Sequence, residues 1–326
     1  MAFQIYSLAI SGQATLNLHS LNNEGGEGNQ IATRMVNVLD SDYELRQVNA
    51  ISGDMYKHIQ AEHLQRIAKQ RGLPLCKGCE EFNANRILFD QEFTGSFSKQ
   101  TPDRDVIDKM LARCTLDDME GILITANNKA LGRKSVVEFG WVAGVPEKVK
   151  TESYFHVKYV ADSGKLGENT AKDEANLGQN IFHRPASSGS YAVVVTLEAA
   201  RIGFNDIRQE YGISNEERRS RFAAMMESLL YTFVQPNGAM RNTQNPHIAN
   251  FEGVVTLTSD VLPAPTISPL NSKYKEELTR IAGSFNNLRG GEVVQLRPFN
   301  SMADFAEIMT DLILKAEPYK LNYGRQ

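Results

Sequence analysis

The sequence has no long apolar run. None of its stretches approaches the ~18 consecutive apolar residues that a membrane-spanning helix needs. Its start, MAFQIYSLAISGQ, also lacks the positively charged region and long apolar core of a secretory signal. We therefore expect a cytoplasmic protein that does not enter a membrane.

Cysteine is scarce as well. Two of the three cysteines form the segment CKGC (76–79), and the third is Cys114. Three cysteines are too few for a secreted disulfide framework, and an odd number cannot all be paired. A reducing compartment therefore fits better.

There is no excess of positive charge. The 326 residues carry 35 Lys and Arg against 39 Asp and Glu, a net charge of −4. Taken alone, this balance argues against a protein that coats nucleic acid by bulk electrostatics. The hydrophobic fraction of 41% is enough for a sizeable core, and the length fits two domains or one domain with large insertions.

Several catalytic signatures are missing. The sequence has no GxxxxGK[ST] phosphate-binding loop, and GGEG (25–28) is not the dinucleotide-binding GxGxxG. It also has neither GxSxG nor HExxH. These absences argue against nucleotide-cofactor enzymes, serine hydrolases with a nucleophile elbow and zinc proteases.

The apolar pattern predicts an α+β fold. Residues 49–72 are predicted to form a loop followed by a helix, with Ser52 as the N-cap. Residues 73–104 are predicted to be irregular. Residues 164–189 are predicted to form an extended loop or a projecting hairpin. The order β, α, β, β, α, β suits an RRM-like or ferredoxin-like core better than a doubly wound sheet. The predicted strands are 3–10, 32–40, 119–127, 153–161, 190–203 and 254–260, and the other predicted helices are 102–114, 216–234, 272–285 and 302–316.

The CKGC segment predicts a structural zinc site. Two thiolates at this spacing can bind one tetrahedral ion, and Cys114 and His63 both lie on inward helix faces that flank the segment. We expect zinc held by Cys76, Cys79, Cys114 and His63, the alternative being unligated cysteines. A nucleobase deaminase is disfavoured because Pro74-Leu75-Cys76 is not Pro-Cys-x-x-Cys, and Glu62 precedes His63 instead of following it by two.

Three polar segments could contact a phosphate backbone. The turn at 49–58 combines a helix start with Lys57 and His58, although an ordinary capped helix would look the same. The loop at 239–246 could contact a phosphate backbone or simply cap a turn. The segment NIFHRP (180–185) sets an aromatic residue beside cations, a composition that stacks on bases or anchors a loop.

Together these motifs resemble a known family, the DevR-type backbone subunit of the type I CRISPR surveillance complex (Cascade), most closely its I-B branch. The resemblance covers most of the chain. It is carried by TLNLHSLNNEGGEGNQ (15–30), VNAISGDMYKH (48–58), CKGC with the later run C-x-x-D-D-x-E-G (114–121), and LGQNIFHRPASSGSYAVVV (177–195).

The resemblance implies one RRM-like palm over 1–326, with a fingers insertion at 60–118 and a thumb loop at 161–189. Many copies would stack along one CRISPR guide RNA beside other Cascade subunits, and the guide would pair with target DNA. The RNA contacts it implies are Asn22, Asn23, Asn49, Ser52, Gly53, Tyr56, Lys57, His58, Gln179, Phe182, His183, Arg184, Arg241, Asn242 and Gln244.

We expect no catalysis. Related subunits of type III complexes cut target RNA with an aspartate in the early loop, but this sequence has no Asp between residues 1 and 39. The first alternative is a metal-dependent target-RNA endoribonuclease using Glu24 or Glu27. The second is a zinc-stapled interaction or autoregulatory module without guide RNA. Because stacked copies act together on one strand, the net charge of −4 predicts only modest affinity for an isolated subunit.

Overall fold

The computed structural model describes residues 3–27, 30–40, 42–159, 179–236 and 245–322. Its helices are α1 (Gly53–Gln70), α2 (Lys77–Glu80), α3 (Gln91–Gly95), α4 (Asp103–Arg113), α5 (Thr115–Glu120), α6 (Asn215–Val234), α7 (Tyr274–Arg289) and α8 (Met302–Lys315). Within the described ranges, no helix is both long and apolar enough to cross a bilayer.

Six strands precede the first helix, and the other strands follow α5. The strands are β1 (Phe3–Ile5), β2 (Ser7–His19), β3 (Asn23–Glu27), β4 (Gln30–Thr33), β5 (Met35–Leu39), β6 (Leu45–Ile51), β7 (Ile122–Ile124), β8 (Leu131–Arg133), β9 (Val137–Phe139), β10 (Val142–Tyr159), β11 (Gln179–Leu197), β12 (Phe204–Asn205), β13 (Glu210–Tyr211), β14 (His247–Thr258), β15 (Val294–Phe299) and β16 (Ala316–Pro318).

The main sheet has the order β15-β14-β2-β11-β10-β6-β5, with antiparallel neighbours along this path. Its central part follows the chain order β2, α1, β10, β11, α6, β14. The predicted mixed α+β architecture is therefore confirmed. Strand β11 pairs with β10 on one side and with β2 on the other, which places the β10–β11 pair beside the first long strand.

The helices α1, α6 and α8 close the core on one side of the sheet. The apolar stripe predicted for 216–234 is buried, and it ends at Phe233, whose ring stacks on Phe251 of β14 at 4.7 Å between centroids. Phe305 of α8 meets Phe251 edge to face at 5.0 Å. This aromatic cluster fixes α6 and α8 against the end of β14, because apolar area removed from water is the main favourable term in packing.

An insertion between α1 and β10 carries α2 to α5 and β7 to β9. The predicted start of the fingers region at residue 60 falls inside α1, which continues to Gln70 as one helix. The boundary at residue 60 therefore lies within a helix and stays a prediction. Of the predicted thumb, 179–189 belongs to β11, and 161–178 lies outside the described residues.

Three other predictions about secondary structure need correction. The predicted strand 119–127 begins as the end of α5, and only Ile122–Ile124 is a strand. The predicted irregular segment 73–104 contains α2, a 3-10 turn at Arg86–Phe89 and α3, since Cys76 and Asp90 cap the two short helices. The predicted strand 3–10 divides at Tyr6, because β1 pairs with β16 and β2 with the main sheet.

A buried ion network ties the insertion to α6. Asp118 on α5 is fully buried and accepts hydrogen bonds from Arg133 Nη2 and Arg221 Nη1, both at 2.8 Å. Its second oxygen also accepts the Gly203 N–H at 2.9 Å. With three donors in contact, the carboxylate is compensated in a place that water does not reach.

Replacing Asp118 with asparagine removes the charge but keeps the shape. Breaking one side of a buried pair leaves uncompensated charge, so we expect Asp118→Asn to lower the free energy of unfolding by about 3–5 kcal/mol in urea denaturation. The matched control is Asp206→Asn, because Asp206 pairs with the same Arg133 but is half exposed. That control should lose less than about 1 kcal/mol, and equal losses for the two variants would contradict the assignment.

Candidate nucleic-acid interface and metal cluster

The first turn of α1 is held from two sides. The Ser52 Oγ accepts the Met55 N–H at 3.2 Å, and the Ser52 N–H donates to Asn22 Oδ1 at 2.8 Å. On the other side, a Cβ at Gly53 would lie 2.3 Å from the Phe139 carbonyl oxygen, so only glycine allows this approach of β9. The turn is thus fixed before any ligand binds, at the end of the helix whose dipole favours an anion.

Two residues predicted to contact RNA are buried. Asn49, 2% exposed, donates to Thr33 Oγ1 and to the Arg34 carbonyl, both at 3.0 Å, and accepts from the Tyr191 hydroxyl at 2.9 Å. Tyr56 is also 2% exposed and packs near Phe233. Both side chains thus have contacts inside the protein, and their predicted contact with RNA stays a prediction.

The remaining residues of this turn differ in exposure. Asn22 is buried and uses its side-chain oxygen on Ser52, whereas Ser52, Gly53 and Lys57 are partly exposed and His58 is exposed. Lys57 makes no hydrogen bond or ion pair with the part of the chain that is described. Ser52, Lys57 and His58 are consequently the predicted side chains of this turn that a ligand can reach, and Lys57 and His58 are the ones that can carry positive charge.

Lys57 and His58 stand beside a cavity of about 320 Å³ between α1, α2, the 82–86 turn and α5. Its lining is Asp54, Lys57, His58, Ala61, Cys79, Phe82, Asn83, Ala84, Arg86, Leu116 and Glu120.

Glu120 is the residue of this cavity that the sequence reasoning missed. Its side chain is buried beside Gln60. Burial raises the pKa of Glu120 to about 7, while Lys57, Arg86 and a hydrogen bond with Gln60 oppose the shift. The run C-x-x-D-D-x-E-G contains Glu120, but its burial depends on contacts that are distant in sequence.

A second cluster lies directly behind the cavity. Cys76, Cys79, Cys114 and Asp117 are buried, and one ligand atom from each lies within 4.8 Å of the others. The Sγ atoms of Cys76 and Cys79 lie 3.2 and 3.5 Å from Asp117 Oδ2. Zinc bonds of about 2.0–2.3 Å place tetrahedral ligands about 3.5–3.8 Å apart, so a small contraction around one ion would complete the site.

The electrostatics of the cluster also suit a cation. Hydrogen bonds with Cys114 and Cys79 lower the pKa of the Cys76 thiol to about 5. Burial, reinforced by Cys114, raises the pKa of Asp117 to about 8, because four acidic groups without a cation cannot all ionise together. Arg86 lies 3.1 Å from the other Asp117 oxygen, where it would orient this ligand from outside.

His63 is not part of this cluster, which corrects the predicted ligand set. Its Nε2 lies 2.8 Å from the Gln235 carbonyl oxygen, and its ring meets Tyr231 on α6. The fourth group beside the thiols is Asp117. The signal was present in the sequence, since Cys114-x-x-Asp117 repeats the spacing of Cys76-x-x-Cys79, and each leading sulfur accepts the N–H three residues on.

The β10–β11 hairpin places aromatic and basic side chains side by side. His183 pairs across the strands with Phe155, and their ring centroids lie 5.6 Å apart with Phe155 60% exposed. Arg184 pairs with Tyr154, which is also exposed. This part of the hairpin therefore offers an aromatic surface with a basic residue beside it.

Several predicted contacts cannot be placed. Gln179 and Phe182 lie on β11 and Asn23 on β3, but their side chains are outside what the structure describes. Arg241, Asn242 and Gln244 lie outside the described residues altogether.

The family model described as "CRISPR-associated negative auto-regulator DevR/Csa2" matches residues 10–279, which include the cavity and the cysteine cluster. The chain is thus a CRISPR-associated protein. It belongs to the DevR/Csa2 family, so the resemblance seen in the motifs is confirmed at this level, while the I-B branch stays a prediction.

A curated relative and three solved structures are similar to the chain. "CRISPR-associated protein Cas7/Csa2 1" of Saccharolobus solfataricus is 23% identical over 287 residues, covering 85% of this chain and 87% of that protein. A chain of a CRISPR RNA-guided surveillance complex in a pre-nicking state has 13% identity and a TM-score of 0.49, covering 97% of this chain and 96% of that one. A second surveillance-complex chain has 10% identity and 0.46, with coverages of 94% and 98%. Thermofilum pendens Csc2 has 12% identity and 0.37, with coverages of 95% and 85%.

Proposed function

We propose that this protein is a non-catalytic subunit that binds CRISPR guide RNA and assembles along it as the filament backbone of a type I, I-B-like Cascade complex. Neighbouring copies and other Cascade subunits are its protein partners, and target DNA is reached by pairing with the guide. Membership of the DevR/Csa2 family supports a role in a CRISPR complex. The fixed first turn of α1 carries the assignment of RNA binding.

The geometry of that turn suits a phosphate. Asn22 and Gly53 hold its backbone in place, so binding does not require the loop to order first. Lys57 adds a charge that forms no hydrogen bond or ion pair with the described residues, at the helix end where the backbone dipole also favours an anion. A phosphate of the RNA backbone would lie against these groups.

The sheet supports a palm of RRM-like form. The succession β2, α1, β10, β11, α6, β14 with the spatial order β14-β2-β11-β10 is that of a βαββαβ unit. Residues 161–189 are our proposed thumb, and 179–189 of them lie on β11. There His183 lies beside the exposed Phe155 of β10, a pair that suits stacking on a base or packing on a neighbouring copy.

We also propose that Cys76, Cys79, Cys114 and Asp117 bind one structural zinc ion. The short helices α2 and α5 both begin at a cysteine of this cluster. Zinc would join α2 to α5 and so stabilise the wall of the cavity, because helices this short form little hydrophobic core by themselves.

Alanine at Lys57 should weaken RNA binding without unfolding the protein. The loss of one phosphate contact on a single strand should reduce the slope of log K against log salt by about 0.7, and to a similar extent for all RNA sequences. Fluorescence anisotropy with single-stranded RNA measures both quantities. Lys315→Ala is the matched control, since Lys315 is exposed on α8 and pairs with Asp311. Identical slopes for the two variants would refute the phosphate contact.

The type III alternative predicts cleavage. Glu24 and Glu27 are the carboxylates of β3, and one of them would have to act near a scissile phosphate. We expect the assembled complex to leave complementary RNA intact in Mg²⁺, as seen on a denaturing gel. Periodic cleavage that disappears in Glu24→Ala or Glu27→Ala would overturn the non-catalytic proposal.

Elemental analysis tests the metal. We expect one zinc per chain in protein purified without chelator, a lower melting temperature after chelation, and at least about tenfold weaker zinc binding for Asp117→Asn. His63→Ala is the control and should keep its zinc, because His63 binds the end of α6. Protein free of zinc would remove the site, and zinc lost in His63→Ala but kept in Asp117→Asn would restore the ligand set expected from sequence.

A further inference from the structure

The sequence contains a single tryptophan, and the structure leaves its ring within reach of a ligand. Trp141 lies between β9 and β10 and is 47% exposed. One exposed apolar side chain is common on a protein surface, so its meaning depends on what surrounds it. The phosphate contact proposed above at Lys57 gives Trp141 no role.

Trp141 lies beside the first turn of α1. Strands β10 and β6 pair antiparallel, with Val142 opposite Ile51. Continued by one residue, this register brings Trp141 next to Ser52, the N-cap of the helix. A Cβ at Gly53 would lie only 3.2 Å from the carbonyl oxygen of the residue that precedes Trp141. The segment that carries the indole is therefore packed against the turn proposed to bind a phosphate.

Arg34 places a cation at this ring. Its guanidinium carbon lies 5.6 Å from the centroid of the Trp141 ring, within the range of a cation–π contact. Asn22 joins Arg34 to the turn, because its backbone oxygen accepts the Arg34 N–H at 3.3 Å and its side-chain oxygen accepts the Ser52 N–H at 2.8 Å. Asn49 also donates to the Arg34 carbonyl oxygen at 3.0 Å. Backbone contacts thus fix the cation beside the ring without a ligand.

The position of this pair favours a nucleobase as its occupant. An exposed indole stacks on any base, since every base has a π face, and an arginine beside it strengthens the contact. Only one sugar separates a base from its phosphate, so a strand bound at the first turn of α1 brings its bases close to Trp141. A protein partner could also cover the ring, but Arg34 and Lys57 near the same turn suit a polyanion better.

We propose that Trp141, together with Arg34, stacks on a base of the bound RNA beside the phosphate contact. This proposal deepens the proposed RNA-binding function and rests on it. Stacking of this kind reads no sequence, so it agrees with a backbone contact that is the same for all RNA sequences. It adds affinity without adding charge, which separates its effect from that of Lys57.

Tryptophan fluorescence of the full chain tests the proposal directly, because Trp141 is the sole source of the signal. We expect saturable quenching on titration with uridine-only RNA and with adenosine-only RNA, since both present bases that stack. An abasic ribose-phosphate strand of the same length should bind through its phosphates without quenching the signal.

Variants measure how much the ring contributes. Trp141→Ala should bind both RNAs at least about fivefold more weakly in fluorescence anisotropy, with an unchanged melting temperature. Its slope of log K against log salt should equal that of the wild type, unlike the slope of Lys57→Ala. Trp141→Phe should recover most of the affinity, because a phenyl ring also stacks. Tyr43→Ala is the matched control, since Tyr43 is 87% exposed but precedes β6, whereas Trp141 lies beside the end of that strand.

The outcomes separate this proposal from the function on which it rests. If the wild type binds RNA and Trp141→Ala binds it equally well, or if the abasic strand quenches as strongly as the others, the stacking site is wrong and the RNA function stands. If Trp141→Ala keeps its RNA affinity but places fewer copies on one strand in native mass spectrometry, the ring contacts a neighbouring copy and the stacking site is again wrong. If the wild type binds neither RNA, the proposed function itself fails, and the stacking site fails with it.

Discussion

The contact of Asp118 with Arg133 and Arg221 is the interaction on which the rest of the insertion depends. It holds α5, a helix of six residues whose side chains are all buried, against α6 and β8. So short a helix has little stability of its own and takes its position from its contacts. Once it is fixed, Cys114 and Asp117 at its start face the CKGC segment, and Glu120 at its end faces the cavity. One short run of sequence thus positions both candidate sites.

The local parts of the fold could be predicted from the sequence. Ser52 marks the start of α1, and the apolar spacing along 216–234 identifies α6, because capping and periodicity are properties of neighbouring residues. The convergence of Cys76, Cys79 and Cys114 could be predicted as well, since their helices present inward faces around one loop. Contacts between residues that are distant in sequence could not be predicted. His63 does face inward, but periodicity does not reveal that this face meets Gln235.

The same limit explains the other corrections. The apolar residues at 122–124 favour a strand, and they form one. The residues just before them form α5 instead, because Asp118 pairs there with Arg133 and Arg221, which lie later in the chain. Asn49 and Tyr56 have side-chain types that suit RNA contact, yet both are required inside the protein, one to join strands and the other to fill the core. Their burial follows from tertiary packing, and composition does not show it.

The acidic net charge is consistent with a protein that binds RNA locally. Lys57 and the start of α1 would supply one phosphate contact per subunit, and repeated copies on a strand would add their contributions. The most direct test of the central claim is the mass of the particle purified from cells, measured by native mass spectrometry with the length of any nucleic acid it holds. We predict several 36.3 kDa subunits on one RNA, with the RNA lengthening in proportion to the number of copies. A monomer free of nucleic acid, purified with its Cascade partners present, would contradict the account.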